Sequence, residues 1–203
     1  MPNLPPLPAP GLAILPRYLS DRPLTVILKG SSFSRSMTAT TGDGLLLFSI
    51  EGQALSRSHR RSFLDANGQK LFEIREEGIR AKHYYAALEE NGPRLFETET
   101  HVKIFRRSRT SVRFANQADP NRQMVELEFV QAGLGEDGSL TWSGGQVALV
   151  EKISFTMSGE YRLSVSPGMD PALVVAVTIA MIDRAKTQAS RNAGAGAGAG
   201  VAS

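Results

Sequence analysis

The sequence predicts a mainly β protein with one apolar helix buried near its C-terminus. Three observations predict it: period-two alternation and short apolar runs from Thr25 to Val165, Gly and Asn-Gly turn signals between them, and a charge-free stretch from Pro171 to Ile182. A chain of 203 residues is enough for one large domain, and a single barrel or sandwich of that length is ordinary.

Taken in order, residues 1–20 carry proline at positions 2, 5, 6, 8, 10 and 16, which excludes a helix or a central strand and predicts an extended, disordered leader. Pro5 and Pro8 make a PxxP spacing, a pattern that arises readily in any proline-rich segment. The folded body is expected over residues 21–186. Thr25 to Lys29 reads as a strand, and Gly42-Asp43-Gly44 turns the chain into Leu45 to Ile50. Phe63 to Asp65 and Leu71 to Ile74 flank Asn67-Gly68, a dipeptide suited to a type I′ hairpin turn. His83 to Leu88 and Arg94 to Thr98 repeat the arrangement around Asn91-Gly92-Pro93. Val102 to Phe105, Thr110 to Phe114 and Met124 to Val130 follow, the last with alternating glutamates that imply one wet and one buried face. Leu140 to Trp142, Gln146 to Ile153 and Tyr161 to Val165 complete about a dozen strands, at the spacing of a barrel or sandwich.

Pro171 to Ile182 breaks this pattern. Twelve residues are too few to cross a bilayer, which needs about 20. Asp170 can cap a helix with Pro171 at its first position, and Arg184 and Lys186 sit where the helix dipole prefers cations. A buried strand is the competing reading, because Val174, Val175, Val177 and Ile179 are β-branched; length and capping decide for a helix over about 171–183. With no polar face it must be covered all round, and a closed barrel provides such a sleeve. The alternating Ala and Gly of 193–200 supply nothing to pack, so residues 187–203 are expected to be a disordered tail.

Leu24 to Gly30, Arg61 to Arg75 and Tyr161 to Asp183, the last with its Pro167-Gly168-Met169-Asp170 before the apolar run, resemble the LURP-one-related proteins. The resemblance spans the body of the chain. It implies the tubby C-terminal-like fold shared with tubby domains and phospholipid scramblases: a closed antiparallel barrel of about twelve strands around a buried apolar C-terminal helix. It implies a fold more strongly than an activity. Tubby domains bind phosphoinositides, scramblases are membrane-associated, and LURP-one-related members are linked to stress and defence responses. No tubby lipid-binding motif aligns visibly here, and the cysteines that scramblases acylate are missing.

The absence of cysteine excludes disulfides, thiolate metal sites and cysteine nucleophiles. Gly133-Leu-Gly135-Glu-Asp-Gly138 matches a dinucleotide-binding string, but Glu136 and Asp137 would repel an anion, and Ser139-Leu-Thr-Trp142 does not open the required helix. Gly144-Gly145 reads as a further hairpin turn. His59, His83 and His101 lack ligand spacing, and no Gly-x-Ser-x-Gly elbow activates a serine. A non-enzymatic binding module without cofactor or metal is therefore expected. A net charge of +3 is far from that of a dedicated nucleic-acid binder. The feature with functional direction is the run Lys103, Arg106, Arg107, Arg109 and Arg113, with no acid between Glu99 and Asp119, beside a smaller cluster at Arg57, His59, Arg60 and Arg61. It reads either as a patch for anionic membrane lipid or as a solvated hairpin tip whose arginines blunt strand edges. A protein-interaction scaffold using the proline leader or a barrel edge is the alternative. Without a signal peptide or transmembrane span, the expected location is cytoplasmic, peripheral to a membrane, or nuclear.

Overall fold

The computed structural model describes residues 4–30, 36–52, 60–77, 83–88, 92–101, 109–131, 137–154 and 159–197. Its twelve strands are β1 (Leu24–Gly30), β2 (Met37–Thr41), β3 (Leu46–Gly52), β4 (Arg61–Asp65), β5 (Lys70–Glu77), β6 (His83–Ala87), β7 (Arg94–His101), β8 (Arg109–Ala115), β9 (Met124–Gln131), β10 (Gly138–Trp142), β11 (Gly145–Ser154) and β12 (Glu160–Val165). Each pairs antiparallel with its sequence neighbours, and β1 closes on β12 from Leu24↔Val165 to Lys29↔Glu160. Closure leaves no free edge. Alternation decides which side chains enter the barrel: Val26 and Leu28 on β1, Phe48 and Ile50 on β3, Phe72 and Ile74 on β5, and Val112 and Phe114 on β8 are all buried.

The helix α1 (Pro171–Ala197) threads the barrel. Asp170 Oδ1 accepts the Ala172 N–H at 2.8 Å, so the cap and the proline at the first position act as the sequence suggests. Every side chain from Ala172 to Ala180 is buried. Burying Leu173, Val174, Val175, Val177, Ile179 and Ile182 at roughly 1.5–3 kcal/mol each stabilises the fold by on the order of 10 kcal/mol before chain entropy is counted. The helix lies nearest β1 and β12, and the larger rings of Phe63, Phe72, Tyr84, Phe96 and Phe114 fill the opposite side.

Four expectations are corrected. The helix does not stop near 183 but runs to Ala197, 27 residues in all. Asp183 and Arg184 mark where it leaves the core, not where it ends, because the segment after them is rich in alanine and straight-chain residues and lacks a proline. The disordered tail expected from 187 therefore does not hold for residues up to 197.

The leader is also built into the fold. Leu12 bridges Met169, Leu7 N–H donates to Pro167 O and Leu12 N–H to Gly168 O, and Asp170 N–H donates to Leu12 O. Leu4, Leu12, Ala13 and Ile14 are buried. The prolines that bar this segment from a ladder leave it able to lie across the barrel end as an irregular strap with apolar anchors. A Cβ on Gly11 would sit 2.5 Å from the Gly168 carbonyl oxygen, and its φ is +85°, so this close approach requires glycine.

The turn at Asn67-Gly68 is not type I′. Only Gly68 has a positive φ; its N–H donates to Asp65 O, and Asp65 Oδ1 accepts from Asn67 and Gln69, which makes a type I turn followed by a left-handed glycine at a bulge. The two-residue turn with both φ positive falls at Ser143-Gly144. Finally, β2 has no counterpart among the expected strands, and the strand expected over Val102 to Phe105 lies outside the described residues.

Candidate functional site: the rim where the helix emerges

An up-and-down barrel gives its two ends different roles. The end where α1 begins is crossed by the leader and fastened by Asn116, whose Nδ2 donates to Gly11 O at 2.8 Å while its Oδ1 accepts from Ala13 N–H at 2.9 Å. Asp170 Oδ2 adds acceptors for Ile14 and Leu15 N–H at 3.1 and 2.8 Å. Burial pushes this carboxyl up to about 7, against four backbone N–H groups that hold it down. The opposite rim is formed by the ends of β1, β3, β5, β7, β9 and β11 and the starts of β2, β4, β6, β8, β10 and β12.

Inside that second rim the barrel lining turns polar. Arg61 on β4 binds Asp183 of α1 through Nε and Nη2, both at 2.6 Å. Two strands along the same wall, Tyr84 on β6 is buried and its hydroxyl has no hydrogen-bond partner. Burial raises the Tyr84 phenol well above its ordinary range, with Glu76 and Asp183 adding to the rise and Arg184 and Arg61 opposing it. Thr100 and Thr110, paired across β7 and β8, share a hydroxyl hydrogen bond of 2.9 Å. Arg184 of α1 reaches this wall, donating from Nη1 to Thr110 Oγ1 at 3.4 Å. Burial lowers its guanidinium below the usual range, and the group that opposes the shift is Tyr84. Sequence reasoning took Arg184 for a helix-dipole partner and missed Tyr84, Thr100 and Thr110; the signal is a polar residue at an inward register position, visible only once the pairing is known.

The expected basic run divides. Lys103, Arg106 and Arg107 lie outside the described residues, as do Arg57 and His59. Arg109 and Arg113 stand on the outer face of β8, where they are paired. Arg109 Nη1 donates to both carboxylate oxygens of Glu128 at 3.1 and 3.2 Å, and Arg113 binds Glu126 at 3.0 Å with Glu99 at 3.8 Å. Arg113, Arg94, Glu77, Glu97 and Glu99 line a shallow outer depression with Thr98. Such exposed, solvent-screened pairs contribute little to stability. Arg60 is 3.9 Å from Glu73, and Arg61 points inward.

The glycine string continues into a strand, β10, and not a helix: Gly138 opens it, and Asp137 Oδ1 accepts the Lys152 N–H. Among the described residues no group of three His, Asp or Glu is placed to hold a metal. No helix of the described residues is long and apolar enough to cross a membrane.

The model of the LURP-one-related family matches residues 23–183. Among curated proteins none matches the sequence. A crystal structure of a protein from Arabidopsis thaliana is similar in fold, with a TM-score of 0.62 and 16% identity over 85% of this chain and 98% of that one. The family match covers all twelve strands and the buried part of α1, and the chain belongs to the LURP-one-related family.

Proposed function

We propose that this barrel is a non-catalytic binding module that meets anionic membrane lipid, phosphoinositides included, with the rim from which α1 emerges. The observation that supports the reading is topological. The segments holding Arg57 and His59 and those holding Lys103, Arg106 and Arg107 connect β3 to β4 and β7 to β8, and both connections join strand ends of the same rim. Arg60 and Arg109 stand at the starts, or next to the starts, of the strands that follow. Each Lys or Arg near an anionic surface adds about 1 kcal/mol, so a handful gives reversible, salt-sensitive attachment. Arg113, engaged with Glu126 and Glu99, adds least.

A scaffold role in stress or defence signalling is the second reading. The packing of the leader on the barrel end and the closure of the barrel favour it less than the first. Co-sedimentation with liposomes, with and without phosphoinositides and across salt, tests the proposal beside a variant carrying Arg106→Ala, Arg107→Ala and Arg109→Ala. Salt-sensitive binding lost by the variant is expected; no binding at low salt would sink the proposal.

A further inference from the structure

We propose that the barrel end at which α1 begins is a groove for an extended peptide of Gly-aliphatic-small-aliphatic sequence, occupied in cis by the leader, and that such a segment of a partner protein docks by taking the leader's place. This surface is independent of the basic rim at the other end. It is neither the leader itself nor a strand edge, but the groove beneath the leader.

The grip is on main chain. Asn116 Nδ2 donates to Gly11 O at 2.8 Å and its Oδ1 accepts from Ala13 N–H at 2.9 Å, so one side-chain amide holds the peptide on both sides of Leu12. Leu12 N–H donates to Gly168 O at 2.8 Å, Leu12 O accepts from Asp170 N–H at 2.9 Å, and Ala13 O accepts from Gln117 N–H at 2.8 Å. Asp170 Oδ2 accepts from Ile14 and Leu15 N–H at 3.1 and 2.8 Å. Each N–H from Leu12 to Leu15 and each C=O from Gly11 to Ala13 is thereby paired with the barrel. Domains that bind peptides by strand addition work in this way: main-chain bonds give affinity for an extended chain, and side-chain fit gives selectivity. The fit here is narrow. A Cβ at position 11 would sit 2.5 Å from the Gly168 carbonyl oxygen, so that position takes glycine. Ala13 is fully enclosed and calls for a small residue, while Leu12 and Ile14 bury aliphatic side chains on either side.

Two observations separate the occupant from the groove. The gripping residues Asn116, Gln117, Gly168 and Asp170 lie within the residues 23–183 that the family model matches, and the gripped residues lie outside them. The leader joins β1 through Asp21, Arg22 and Pro23, all exposed, and it belongs to no ladder of the barrel, so its exchange breaks no strand pairing. Either occupant covers the first turn of α1. A tethered occupant reduces the apparent affinity of a competitor in proportion to the fraction of molecules with an open groove, so the parent binds a free peptide weakly until its leader is unseated.

The test is fluorescence anisotropy of a labelled synthetic peptide of residues 4–18 titrated with the full chain. Gly11→Ala in the chain drives a Cβ against the Gly168 carbonyl, which unseats the leader and leaves every gripping residue in place. This variant should bind the peptide about tenfold or more tighter than the parent. Adding Asn116→Ala should weaken that binding about tenfold or more, as expected for losing two hydrogen bonds, and a peptide carrying Gly11→Ala should bind neither chain. No binding by the Gly11→Ala chain, equal affinity in that chain and the parent, or equal affinity for the two peptides overturns the proposal. Should Gly11→Ala fail to fold, a protease site inserted between Asp21 and Arg22 lets the parent fold first and be cut afterwards. Native mass spectrometry should then show the cut leader exchanging for free peptide on an intact barrel. A barrel that never exchanges, or that unfolds as the leader departs, makes the leader part of the fold and refutes the groove. A concentration-dependent dimer of the parent in sedimentation would assign the groove to a second copy's leader and overturn the partner reading.

Discussion

Replacing Asn116 with alanine should loosen the strap that closes the barrel end without disturbing the strands. The side chain is 4% exposed and makes three hydrogen bonds to backbone: it donates to Gly11 O and accepts from Ala13 and Ala118 N–H. Alanine leaves the Gly11 carbonyl and the Ala13 N–H unpaired in a buried setting. Each orphaned group costs about 1–3 kcal/mol, and the half-exposed Ala118 N–H regains water, so the loss should total about 2–6 kcal/mol. Against a typical domain stability of about 5–15 kcal/mol this is large. Urea unfolding followed by the fluorescence of Trp142, the single tryptophan, measures the total. Hydrogen exchange locates it. The amides of Leu12 and Ala13, which donate to Gly168 O and to Asn116, should exchange faster, while those of β3 to β8 should change only as far as global stability falls. A loss below 1 kcal/mol, or unchanged exchange at Leu12 and Ala13, would refute the idea that Asn116 fastens the strap.

Two further outcomes follow from buried charge. Asp170 has a folded value raised to about 7, above the unfolded value near 3.9, so the folded state binds this proton more tightly. Its contribution is then fully present below about pH 4 and is lost as pH rises through about 7. Asp170→Asn should flatten that part of the stability-pH curve, read as the urea midpoint from pH 4 to 8; an unchanged curve would show that the carboxyl stays ionised across the range. The pair Arg61 and Asp183 is only 10% and 12% exposed. Arg61→Ala or Asp183→Ala alone should cost about 3–5 kcal/mol by stranding the other charge, whereas a paired hydrophobic replacement should cost far less. Additive costs in the double-mutant cycle would show that the two charges act independently.

The strands were legible because burial on one face forces period-two alternation, and α1 because a run without charge has to be covered all round. What escaped reading has physical causes. In β2, Met37-Thr-Ala-Thr-Thr41 buries only the small Ala39 and Met37, too little apolar contrast to register as a strand. The leader satisfies its backbone through partners more than 100 residues away, Asn116 and Asp170, and no local pattern encodes such a partner. Along Glu97-Thr98-Glu99-Thr100, charge and hydroxyl alternate much as on a solvated hairpin, yet Thr98 is buried. Its neighbour in pairing, Tyr84, makes that face inward, a fact of register and not of composition.

The two barrel ends differ for a reason that joins the fold to the proposed roles. A helix that enters through an end has its first N–H groups to satisfy, and Asp170, the strap and Asn116 supply acceptors and cover there, so that end is committed to structure. Where α1 leaves, the same rule does not apply, because the helix continues beyond the core to Ala197 and its backbone pairs with itself. The lining of that rim is released from helix capping and is free to carry Arg61, Tyr84, Thr100 and Thr110 against Asp183 and Arg184.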